Sequence, residues 1–414
     1  MRISRRSMLG ATLLAPAAAL PFRQAAAQAP AVKLTTIRTP SYEYYTQKAP
    51  GVLPGVRVEP TVMQVDKLLE LFAIQQSSKS DGFDVLWTSD AVYAGWAKKG
   101  WLEPLDDLWA KYREEYALDD FPKSVVDGFR FEGKLYAIPT LTNTELLFYR
   151  RDLLAEKNIA VPKTYAEYRA AAQALHTPRR SGVAMKLKPV DAAMNTDHYF
   201  LNALADGWFD AKWNPVFNNA RAVAAIEAMR DLGKYAAPGF TAQANDENTV
   251  LMQQDLAAMQ IMWVSRAAQM DNAQRSAVAG KVEFAVAPGG GQRIGYDGFA
   301  ISKFSRGDRD TMFRLMAATT SARVMRDGAE FVIPARDSVL NDPELVAKYR
   351  FFPVVQAALK TGRSLPNLPE FSETAEITTR MINQGMVGQL PIKQALDTAA
   401  AEVVDLLKKR GYSF

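Results

Sequence analysis

Short β-branched runs alternate with helical stretches through the first third of the chain, and this spacing narrows the fold more than any other feature. Lys33 to Arg38 (KLTTIR) alternates as a strand does, and Val56 to Met63 reads as a second strand. Asp66 to Gln76 then puts Leu68, Leu69, Phe72 and Ala73 on one helical face. Phe83 to Trp87 is a short apolar strand, followed by a helix over Ala91 to Lys98 that stops at Gly100. Strands and helices in this order predict a parallel-rich α/β sheet.

Further along, Leu146 to Tyr149 is a strand candidate and Arg151-Asp152 opens a helix. Thr164 and Glu167 have capping-box spacing, which predicts a helix reaching about His176. Ala220 to Lys234 is an amphipathic helix, with Val223, Ile226, Met229 and Leu232 as core contacts. Ala257 to Val264, Val282 to Ala287 and Gly298 to Ser302 read as strands, with a Gly289-Gly290-Gly291 turn among them. From Arg309 onward the pattern is mostly helical. The last helix, Ile392 to Arg410, ends at Gly411, with Lys408, Lys409 and Arg410 suited to its negative end. No repeat and no low-complexity linker divides the chain, and 414 residues are enough for two lobes joined by short ordered crossings.

Composition removes several chemistries. Cysteine is absent, which excludes disulfides, thiolate metal sites and thiol nucleophiles. With only His176 and His198, a multi-histidine metal site is not expected, and neither is any other metal or cofactor. The net charge of +5 comes mostly from Arg2, Arg5, Arg6 and Arg23; beyond residue 29 the balance is 46 basic to 45 acidic residues. No basic stripe remains to favour nucleic acid or an anionic membrane. Residues 1–29 have the layout of a secretory signal: an arginine-bearing start, an apolar stretch from Met8 to Leu20, and Ala27-Gln28-Ala29 before Pro30. Ser4-Arg5-Arg6-Ser7-Met8-Leu9 resembles a twin-arginine signal, with a Sec signal as the alternative. The expectation is a periplasmic protein cleaved near Ala29, without a lipid anchor because no cysteine can accept one.

There is no G-x-S-x-G elbow, no phosphate-binding glycine loop and no H-E-x-x-H. What the chain offers is aromatic and polar residues at strand ends, where open α/β sheets bind ligands. Tyr42 follows the first strand, and Asp90 follows the strand ending at Trp87. Asn143 lies beside a strand, and Trp263 and Arg266 close another. Asp297 precedes the Gly298 strand. Carboxylates and amides bond hydroxyls, and an aromatic face covers the C–H face of a sugar. Each has a plainer role: Asp90 as a helix cap, Trp87 and Trp263 as core, Asp197 and His198 as a structural pair. As a loop residue, Asp90 is expected to be removable without loss of the fold.

These pieces together resemble the extracellular solute-binding proteins of ABC importers, the family that includes maltose-binding protein. The resemblance runs through Phe83 to Leu108, Gly133 to Leu154, Pro162 to Tyr168, Asp255 to Trp263 and Gly295 to Ser305. It continues through Pro334 to Leu345, Pro366 to Glu373 and Ile392 to Val403. The spacing from Tyr235 to Gly239 and on through Gly280 to Val282 is most similar to sugar- and polyol-binding members.

The resemblance implies a two-lobed α/β periplasmic binding protein fold of the type II kind, with a hinge crossed by short segments. Lobe 1 would hold residues 30–142 and 297–327, and lobe 2 residues 143–296 and 332–414. It implies a non-catalytic monomer that takes a sugar, polyol or small glycoside by lobe closure and delivers it to membrane permease subunits. The alternatives are an exported carbohydrate-active enzyme, or a receptor for an anion such as a sugar acid, with Arg266 or Arg336 as counter-charge. By alignment, Asp90 and Asn143 fall at ligand-contacting acids, and Asp197 and His198 fall near a stacking tyrosine. Two stacking tryptophans of that protein correspond to Ala375 and roughly to Ser265, with Trp263 two residues earlier. A smaller ligand than a long glucan is therefore expected.

Overall fold

Three parallel strands start the molecule: β1 (Val32–Ile37), flanked by β2 (Val58–Met63) and β3 (Val85–Ser89). The structure is a computed structural model, and it describes residues 31–189 and 191–414. The expected signal segment, residues 1–29, lies outside the described residues. A small hairpin, β4 (Arg130–Phe131) and β5 (Lys134–Leu135), precedes the long strand β6 (Ile138–Arg150). The second half of the sheet adds β7 (Ser181–Ala184), β8 (Ala257–Trp263) and β9 (Val282–Ala285), and β10 (Ile294–Ile301) returns to the first half.

The strand order is β2-β1-β3-β10-β6-β8-β7, with β9 also on β6. The expected parallel-rich sheet is only partly present: β1 runs parallel to β2 and β3, and β7 runs parallel to β8. β10 is antiparallel to both β3 and β6, and β6 is antiparallel to β8 and β9. The reason is connectivity: the long strand β6 continues past β10 into the second half of the sheet, and β10 returns from that half to the first. One end of β6 therefore pairs with β10 and the other with β8 and β9.

Local signals explain most helices. Thr164 and Glu167 form the reciprocal capping box at the head of the helix Tyr165–Leu175. Thr39 caps the helix Pro40–Val52, whose first residue is a proline. That helix begins three residues after β1 ends and carries Tyr42. Its Tyr42 and Tyr45 are fully buried and set their rings edge-on against Phe299 at 5.9 and 5.8 Å. The helix Asp191–Leu204 was not expected from the sequence. Beginning at Asp191, it packs on the helices Ala220–Leu232 and Phe371–Met386 in the second lobe. The final helix, Ile392–Lys409, packs along Phe371–Met386.

Candidate functional site

Register brings several of the expected residues together along β6, β8 and β10. Gly295 of β10 pairs with Asn143 of β6, and Glu145 of β6 pairs with Trp263 of β8. Side chains alternate along a strand, so Arg293, Gly295, Asp297, Asn143, Glu145 and Trp263 share one face. The glycine matters here. A Cβ at Gly295 would lie 3.1 Å from the Trp263 ring, so the indole lies across bare backbone.

Arg293 is the hub of this face. Its Nη2 donates to Asp90 Oδ1 at 2.9 Å, its Nη1 donates to Asn195, and Asp191 lies 3.7 Å away. The guanidinium stands 5.2 Å from the centre of the Trp263 ring. Burial works against the Arg293 charge, but Asp90, Asp191 and Glu145 outweigh it and hold the pKa above its ordinary value. Burial raises the Asp90 pKa, and Arg293 moderates the rise. Asp90 caps no helix, since the cap position of the next helix is Val92.

A second buried pair stands beside the first. Lys186 donates to Glu145 at 2.5 Å and to Asn245 at 2.9 Å, and its ammonium lies 5.8 Å from the Trp263 ring centre. Trp263 thus sits between two cations that are each already paired. A cavity of about 30 Å³ adjoins Glu145 and Lys186, roughly the room one water needs.

Asp297 forms the end of the face nearest β3, paired with Ser89. Burial pushes its carboxyl up to about 7, against the Trp87 indole N–H and the Tyr42 hydroxyl that face it, and nearby Asp90 raises it further. The Tyr42 hydroxyl also meets Thr140. Among the buried polar atoms of this cluster with no hydrogen-bond partner among the described residues, four lie around Trp263: Asp90 Oδ2, Asn143 Oδ1, Glu145 Oε2 and Arg293 Nε; Trp87 Nε1 is another. Two larger surface grooves, of about 630 and 690 Å³, lie elsewhere. One is lined by Trp109 and Phe121, the other by Gly289 to Gly291.

The chain matches the family model of the bacterial extracellular solute-binding proteins over residues 24–306, more than half its length. The chain belongs to this family. It is 25% identical to the mannitol-binding protein of Pseudomonas aeruginosa over 391 residues, covering 87% of this chain and 88% of that protein. Two solved solute-binding proteins share its fold. One is from Agrobacterium radiobacter in complex with ribitol (TM-score 0.84, 23% identity, 92% of this chain and 99% of the other). The other is from Agrobacterium vitis with bound D-mannitol (TM-score 0.80, 22% identity, 93% and 100%).

In this solute-binding protein the remaining expected residues land in different places. Asn143 reaches across to Ser265, donating from Nδ2 to its hydroxyl at 3.3 Å. Arg266 pairs with Asp246 at 2.7 Å. His198 is engaged on both ring nitrogens: Trp208 donates to Nδ1 at 3.1 Å, so Nε2 carries the proton and donates to the Arg363 carbonyl at 3.0 Å. Burial lowers its pKa to about 3. Asp197 points elsewhere on the same helix. Fully buried, with no partner among the described residues, it has its pKa pushed well up by burial. Arg336 is buried against Phe121 and donates to the carbonyls of Tyr116, Ala117 and Thr320. Among the described residues no cluster of acids and histidines is arranged to hold a metal.

Sequence reasoning missed Arg293, Lys186, Glu145 and Asn195. The signal for Arg293 was available: a lone arginine entering an apolar strand two residues after a triple-glycine turn needs a buried partner. Nothing local marked Lys186 or Glu145, which become a pair only through the sheet register.

Proposed function

We propose that this chain is the exported, non-catalytic receptor of an ABC importer and that it captures a neutral polyol or small sugar between its lobes. The observation that carries the proposal is the set of four unpartnered buried atoms beside Trp263. Three of them, on Asp90, Asn143 and Glu145, accept hydrogen bonds, and Arg293 Nε donates one. A chain of hydroxyls donates and accepts at every carbon, so one polyol can satisfy all four. The Trp263 face would cover its C–H surface.

Charge favours a neutral ligand over a sugar acid. Arg293 pairs with Asp90, Lys186 with Glu145 and Arg266 with Asp246, while Arg336 is spent on backbone carbonyls. An anion would have to break one of these pairs. The mannitol-binding relative and the ribitol- and mannitol-bound neighbours support the polyol choice.

We assign the hinge to the crossings near residues 142–144, 296–298 and 326–332. In support, the Thr142 backbone N–H and hydroxyl donate to the Ile333 and Pro334 carbonyls at 3.2 and 3.0 Å, so the first crossing runs beside the chain as it leaves the third. Export would place the monomeric receptor in the periplasm through its signal, by the twin-arginine route, for delivery to a permease.

A thermal-shift screen across D-mannitol, ribitol, glucose, maltose and gluconate tests the ligand class. A ligand at 100 times its Kd adds about 2.7 kcal/mol of stability. Stabilisation by gluconate alone would overturn the neutral-ligand reading, and chemical conversion of a bound sugar would overturn the receptor reading.

A further inference from the structure

The lobes are joined a second time, outside the Arg293 cluster. The short helix Tyr93–Lys98 of the first lobe meets residues 367–372 and the C-terminal tail of the second. Lys98 Nζ donates to Glu370 Oε1 at 2.6 Å, where the Glu370 side chain is 6% exposed and that of Lys98 41%. The Tyr412 hydroxyl donates to the other Glu370 oxygen at 2.7 Å, and Lys98 Nζ lies 5.2 Å from the Tyr412 ring centre. Two further contacts flank this group. Tyr93 donates to Asn367 at 3.0 Å, and Ser372 donates to the Ala91 carbonyl at 2.9 Å. The approach is close enough that a Cβ at Gly95 would lie 2.9 Å from the Pro369 carbonyl oxygen.

We propose that Lys98, Glu370 and Tyr412 form a latch that sets the open–closed balance of the lobes and tunes ligand affinity without touching the ligand. The proposal rests on lobe closure as the capture step. Glu370 and Tyr412 belong to the same lobe, so their hydrogen bond survives opening and keeps the carboxylate aimed at the first lobe. Within this group only the Lys98 contacts are lost when the lobes part, together with the flanking Tyr93–Asn367 and Ser372–Ala91 bonds. An interaction present only in the closed form raises the fraction of molecules competent to hold ligand, and apparent affinity scales with that fraction. Lys98 is partly exposed, so the latch weakens as salt screens it.

The chain has no cysteine, so Ser78→Cys and Arg179→Cys place one spin label on each lobe at exposed positions. Interlobe distances are then read by pulsed electron resonance, and D-mannitol affinity by calorimetry. Lys98→Met is expected to lengthen the mean distance in the ligand-free protein and to weaken D-mannitol binding about two- to fivefold, the range of a partly exposed ion pair. Lys98→Arg should restore both readings, and Tyr412→Phe should give an intermediate loss. Added salt should weaken binding by the wild type more than by Lys98→Met. Distances and affinity unchanged in Lys98→Met would overturn the latch. Failure of the wild type to bind D-mannitol would count against the polyol reading instead. The ligand-free distances then decide the latch alone, and identical distributions in wild type and Lys98→Met overturn it.

Discussion

Arg293 and Asp90 meet at 2.9 Å with side chains only 6% and 3% exposed, one at the start of the returning strand and the other in a first-lobe loop. The pair is part of the buried structure as well as of the candidate site, which changes what removal of Asp90 should do. Breaking one side of a buried pair leaves an uncompensated charge and costs roughly 3–5 kcal/mol. Asn195 and Asp191 still face Arg293, so Asp90→Ala should lose stability near the lower end of that range. This departs from the sequence expectation that the fold would be spared. Asp90→Asn keeps a hydrogen bond to Arg293 and should lose less. Denaturant unfolding of the ligand-free proteins decides, and wild-type stability in Asp90→Ala would show that Asn195 and Asp191 suffice.

Trp263 is expected to carry much of the binding energy, because its ring is held between Arg293, Lys186 and the bare backbone of Gly295. Trp263→Ala should weaken polyol binding by about tenfold or more, as buried aromatic anchors do. Gly295→Ala should displace the ring and weaken binding to a smaller degree. Calorimetric titration of the ligand found in the screen measures both, and an unchanged affinity in Trp263→Ala would remove the ring from the site.

Asp297 predicts a pH dependence of definite sign. Its folded pKa of about 7 lies above the ordinary 3.8, so the folded state binds the proton more tightly than the unfolded chain. Its contribution to stability is therefore greatest below about pH 4 and declines by about 1.4 kcal/mol per pH unit as pH rises toward 7. Asp297→Asn should remove that decline. Unfolding free energies of wild type and variant at pH 5 and 7.5 provide the comparison, and parallel profiles would refute it.

His198 predicts the opposite slope. Its folded pKa of about 3 lies below the ordinary 6.5, because burial disfavours the imidazolium. Stability from this group is complete above about pH 6.5 and is lost as pH falls toward 3, again by about 1.4 kcal/mol per unit. His198→Gln should be less stable at neutral pH, having lost the fitted bonds to Trp208 and Arg363, yet show a flatter acid limb. An acid limb as steep as wild type would assign the acid loss to other groups.

Parts of the site could be read in the residues themselves. Asp90, Asn143, Trp263 and Asp297 stand out in the sequence as polar or aromatic groups near strand ends, and the fold brings them close together around β6 and β10. Asn143 and Asp297 lie inside long strands, because β6 begins at Ile138 and β10 at Ile294. The threonines and glycines at those starts carry too little apolar signal to mark a strand. His198 and Asp197, chosen together, face different surroundings because adjacent residues on a helix point about 100° apart.

From the sequence alone followed the alternation of strands and helices, the capping box at Thr164, the closing helix at Gly411, and the family resemblance. These depend on local spacing and on motif order, both written in neighbouring residues. Tertiary structure alone decided that β10 pairs antiparallel with both β3 and β6, that Arg293 meets Asp90 across 203 positions, and that Lys98 meets Glu370 across 272. Such pairs depend on strand register and chain return, where a shift of one residue turns every side chain to the opposite face.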